Sequence, residues 1–68
     1  MRTRKIGSDI KPSTVVRSKW GRTRRVVHSY EPCSQMVVLA YCDERGFWRY
    51  YNITVADLVA NWEELIDA

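Results

Sequence analysis

The chain has 68 residues, enough for one small domain and too few for a deep catalytic cleft. Apolar residues make up 46% and charged residues 28%, which excludes an intrinsically disordered chain, and no run approaches the length of an apolar membrane span. The net charge of +3 hides a strong polarity: residues 1–25 carry nine basic side chains against Asp9, a net +8, and residues 26–68 carry Arg45 and Arg49 against seven acids, a net −5. Such asymmetry between halves points to a nucleic-acid surface, an acidic protein partner, or association of opposite ends.

Residues 1–10 lack a hydrophobic period and read as a basic N-terminal arm, flexible at least through Lys5. No apolar run follows the basic residues of MRTRKIGSD, so no signal peptide is expected. Residues 11–68 read as one domain. Lys11 and its neighbours are extended ahead of Pro12. Four strand-like runs come next. Thr14 to Trp20 is rich in β-branched and aromatic residues, and Gly21-Arg22-Thr23 is a turn of hairpin length. Arg24 to Tyr30 is the second run, ended by Pro32-Cys33-Ser34-Gln35. Met36 to Cys42 is apolar at nearly every position, as in a central strand covered on both faces. After the turn Asp43-Glu44-Arg45-Gly46 comes Phe47 to Ile53, dense with rings. Its alternation puts Phe47, Arg49, Tyr51 and Ile53 on one side, and Trp48, Tyr50 and Asn52 on the other.

The period then changes. Val55, Leu58, Val59, Trp62, Leu65 and Ile66 fall on one helical face. Thr54 precedes them, with Asp57 three residues on, a capping-box-like start. The spacing predicts a helix from Val55 to Ile66. Its last turn is acidic, with Glu63, Glu64 and Asp67 at the negative end of the helix dipole, which is mildly unfavourable. Short connections favour an antiparallel meander, so the expected fold is α+β: a four-stranded antiparallel sheet or small barrel with one C-terminal helix.

Little in the sequence speaks for catalysis. His28 is the only histidine, no nucleophile or phosphate-loop motif accompanies it, and a strand histidine packed on one face is the simpler reading. Cys42, inside the apolar strand, is expected to be a buried thiol, and Cys33 an exposed one. Two cysteines make neither a disulfide framework nor, with one histidine, a zinc site. The chain is therefore expected to be a cytoplasmic non-enzyme with free thiols and without metal or cofactor.

The basic segment is the sharpest feature. Arg22, Arg24 and Arg25 crowd a hairpin tip, and Arg17 and Lys19 alternate on one face of the strand before it. Arg2, Arg4 and Lys5 add charge from the arm, and Trp20 stands beside the turn. Nine bases against one acid depart from the mixed signs of an inert surface, and phosphate binding is the simplest relief of their repulsion. These residues are the candidate nucleic-acid contacts. Sequence-specific reading is not expected, because the one helix is acidic. The alternative is a protein-interaction module or inhibitor acting through Trp48, Arg49 and the acidic Glu63, Glu64 and Asp67.

The runs KPSTVVRSKWGRTRRVV and MVVLAYCDERGFW, followed by the short tail helix, resemble the SH3-like small barrels of accessory proteins in phages and other mobile elements. The resemblance covers residues 11–66 and rests on strand rhythm and turn placement. It implies a small accessory role and assigns no catalytic or binding residue.

Overall fold

The computed structural model describes residues 2–7 and 9–66. It departs from the expected four strands and tail helix. The chain forms β1 (Thr3–Lys5), β2 (Val15–Ser18), β3 (Arg24–Glu31), β4 (Met36–Cys42), β5 (Trp48–Thr54), a single helix α1 (Val55–Asn61) and β6 (Trp62–Leu65). All six strands join one antiparallel sheet in the order β1-β6-β2-β3-β4-β5. The sheet does not close: β1 and β5 are its two edges.

The four central runs of the sequence are β2 to β5, each within a few residues of the expected bounds. They form a meander because their connections are short. The β4–β5 turn is built by Asp43: its Oδ1 accepts from the backbone N–H of Arg45 and of Phe47, both at 2.9 Å. Gly46 closes the turn at φ +86°, a left-handed conformation that glycine adopts without steric cost.

The tail is where the expectation fails. Thr54 caps the helix as read, its Oγ1 accepting from the Asp57 N–H at 3.1 Å. The helix then stops after two turns, and Trp62 turns extended at φ −128°, ψ 156°. Continuing it would have left three acids at the negative end of the dipole. Leaving the helix instead lets residues 62–65 pair with β2 on one side and β1 on the other. The helix's own last turn contains no basic residue. The missing cation comes from the hairpin: Lys19 Nζ donates to Val59 O at 3.2 Å, and the Lys19 N–H donates to Asn61 O at 2.9 Å.

The supposed arm is likewise part of the sheet. β1 lies along β6, with Thr3 opposite Leu65, Arg4 opposite Glu64 and Lys5 opposite Glu63. Ile6 and Ile10 then cross the inner face and are buried there. They pack with Val16, Val27, Val37, Leu39 and Leu58 in one core, flanked by Tyr30, Tyr51, Ile53, Val55 and Trp62. The outer face has no such cover. The expectation that β4 is covered on both sides is therefore corrected: Val37 and Leu39 point into the core, while Ala40 points outward and is buried only by its neighbours.

Candidate nucleic-acid interface on the open face of the sheet

Strand alternation sorts the arginines. Arg17 on β2 is directly opposite Arg24 on β3 and opposite Glu63 on β6, and Glu63 is in turn opposite Lys5 on β1. This row runs across the outer face. The next row, on the inner side, is Arg4, Glu64, Val16 and Arg25. Arg24 and Arg25, adjacent in sequence, thus serve opposite faces. The cluster of three tip arginines expected from sequence is divided.

Several expected contacts are occupied within the chain. Arg4 pairs with Glu64, Nη2 to Oε2 at 2.7 Å. Thr3 Oγ1 donates to Glu63, the acid of the outer row, at 2.9 Å. The Arg25 guanidinium lies over the Tyr41 ring, 4.0 Å from its centroid, and its Nη1 donates to Arg24 O at 2.9 Å. Lys19 is at the end of α1. Trp20 is 79% exposed, with its indole N–H donating to Asn61 Oδ1 at 3.2 Å. Arg22 is exposed at the tip between β2 and β3, and Arg2 is exposed just before β1.

The acidic set changes as well. Glu63 and Glu64 are half-buried strand residues, not helical ones, so no acidic helix is presented; Asp67 lies outside the described residues. Arg49 is on the inner side of β5 and donates through Nε to Asp43 Oδ2 at 2.9 Å. Hydrogen bonds, first from Phe47 N–H, then from Arg49, then from the N–H groups of Arg45 and Gly46, hold the Asp43 carboxyl below the usual range. Arg49 and Trp48, named together as interaction residues, are thus on opposite faces of β5.

That outer face carries Trp48 and Tyr50, 56% and 55% exposed. Two shallow hollows meet there. One, of about 240 Å³, lies among Val26, His28, Ala40, Trp48 and Tyr50. The other, of about 190 Å³, lies among Val15, Arg24, Val26, Ala40, Cys42 and Trp48. Val26 and Ala40 floor both, and Trp48 is the wall between them. Ala40 is the smallest side chain in MVVLAYC, and it floors the depression. His28 reaches this face by plain alternation with Val26, and the register shift between Val27 and Ser29 changes the phase beyond it, so that Tyr30 returns to the core. The His28 ring meets Tyr50 edge-on, centroids 5.0 Å apart at 64°.

Tyr50, His28, Val26 and Ala40 were absent from the sequence-predicted contacts. The alternation in FWRYYNI was a usable signal for Tyr50, and that of Val26 and His28 was one for His28. Cys42, expected to be buried, is exposed at the end of β4 beside Arg24 and Trp48, and Cys33 is also exposed; both are free thiols. Among the described residues, no three His, Cys, Asp or Glu side chains group as metal ligands. No described helix is long and apolar enough to cross a membrane.

Comparison with protein-family models, curated proteins and solved structures finds no match.

Proposed function

We propose that the open face of the sheet binds single-stranded nucleic acid without sequence preference, as a small accessory module and not as an enzyme. The observation that carries this reading is the placement of two half-exposed rings on adjoining hollows: Trp48 lines both, Tyr50 lines one, and Arg24 rims the other. Rings stack on any base, and arginines track the backbone that joins the bases. The hollows are shallow, which suits a base laid flat and not a base pair read from a groove. Arg17 and Arg22 extend the basic rim toward the hairpin tip. Two exposed free thiols fit a reducing compartment such as the cytoplasm. The alternative of a protein-binding inhibitor loses its acidic helix and keeps only Trp48 as an anchor.

Fluorescence anisotropy with labelled mixed-sequence DNA and RNA oligonucleotides tests the proposal. Trp48→Ala and Tyr50→Ala should each weaken binding by about 5- to 150-fold, the range of roughly 1–3 kcal/mol per stacked base. Phe47→Ala removes an exposed ring just ahead of β5, outside both hollows, and should change little. The proposal fails if the wild-type chain binds neither oligonucleotide at about 50 mM salt, or if the two outer rings are dispensable.

A further inference from the structure

We infer that β5 is a pairing edge and that its occupant is β5 of a second copy, which joins two sheets into one. The two edges of this sheet are unlike. β1 is three residues long and carries Arg4 and Lys5, and short, charged edges resist pairing. β5 is seven residues long, WRYYNIT, with no proline, lysine, bulge or covering element. Its single charge, Arg49, is already matched by Asp43 of the same chain.

The backbone phase of β5 follows from its two ends. Asp43 N–H donates to Phe47 O, and Val55 N–H donates to Gln35 O. In an antiparallel ladder the bonded residues alternate. Arg49, Tyr51 and Ile53 therefore direct their N–H and C=O groups toward β4, and Trp48, Tyr50 and Asn52 direct theirs outward. A two-fold axis at Tyr51 uses the whole strand. It sets Tyr50 opposite Asn52 of the second copy and Trp48 opposite Thr54, so that outward groups meet outward groups. Arg49 then faces Ile53, and no like charges are opposed. The same axis keeps both outer faces on one side.

Charge placement favours a second copy as the occupant. Each chain is net +3, but the basic hairpin and β1 lie toward the far side of the sheet from β5. Pairing through β5 keeps the two basic regions as far apart as the sheet allows. An edge contact of seven residues is small for a stable interface, so the dimer is concentration-dependent. It does not require the outer face to bind nucleic acid.

Sedimentation velocity on the whole chain, from about 10 μM to about 1 mM, reads the result. The wild type should shift from monomer to dimer over this range. Asn52→Pro removes one outward N–H and no bond to β4, and Asn52→Lys leaves the backbone intact but charges the edge. Both variants should stay monomeric, with the circular dichroism of the wild type. If Asn52→Pro does not fold, Asn52→Lys alone decides. A wild type that remains monomeric at the highest concentration overturns the inference. So does a dimer that survives Asn52→Lys.

Discussion

At the scale of single residues, Asp43 organises a turn. It accepts from Arg45 N–H, Phe47 N–H and Arg49 Nε at once. These donors favour the carboxylate, and they hold its pKa below the ordinary 3.8. The sign of the linkage follows: the folded chain binds this proton less readily than the unfolded chain. The stabilisation is present above the unfolded value and is lost as pH falls through the lowered folded one. Asp43→Asn should therefore melt below the wild type at neutral pH, and the gap should close as the pH falls below the unfolded value and through the lowered folded one. Thermal melts of both chains from neutral to acid pH measure it. A gap that is constant with pH would assign the loss to turn geometry and not to charge. Asp43 was legible in the sequence only as one of two turn acids. That it, and not Glu44, organises the turn depends on backbone donors that no residue pattern displays.

At the scale of elements, the meander was legible and the two ends were not. Alternation and turn residues locate β2 to β5 because those signals are local. The tail is ambiguous by nature: Val55, Leu58, Trp62 and Leu65 satisfy a helical period, yet Trp62–Leu65 is a strand. What decides is partnership with β1 and β2, sixty and forty-odd residues away in the chain. The acidic last turn was the available warning, since a helix carrying those charges at its C-terminus opposes its own dipole. The short helix that remains is held by its packing and not by propensity, since two turns are marginal alone. Leu58 is its one fully buried residue and joins the core under β4. Leu58→Ala should cost about 2–5 kcal/mol, close to the whole stability of so small a domain. Chemical denaturation monitored by tryptophan fluorescence measures it. A loss well under about 1 kcal/mol would mean that the helix is not docked through this residue.

At the scale of the whole molecule, the polarity of the sequence is largely a consequence of folding two ends together. The basic start and the acidic finish are neighbouring strands: Arg4 meets Glu64, and Glu63 lies between Lys5 and Arg17. Association of opposite ends occurs inside one chain. The bases around the hairpin tip and the outer hollows are Arg17, Arg22 and Arg24, fewer than the nine of residues 1–25. The salt dependence of binding reports this difference. Two or three phosphates neutralised on a single strand give a log–log slope of about −1.4 to −2.1. A flexible arm that also gripped phosphates would steepen it toward about −4 or beyond. Arg4→Gln should leave the slope within error, because that guanidinium is committed to Glu64. Arg24→Gln should flatten it by about 0.7, one phosphate on a single strand. Anisotropy titrations across a salt series give both numbers. If Arg4→Gln flattens the slope as much as Arg24→Gln does, β1 is a phosphate contact, and the pairing of the two ends does not set the interface.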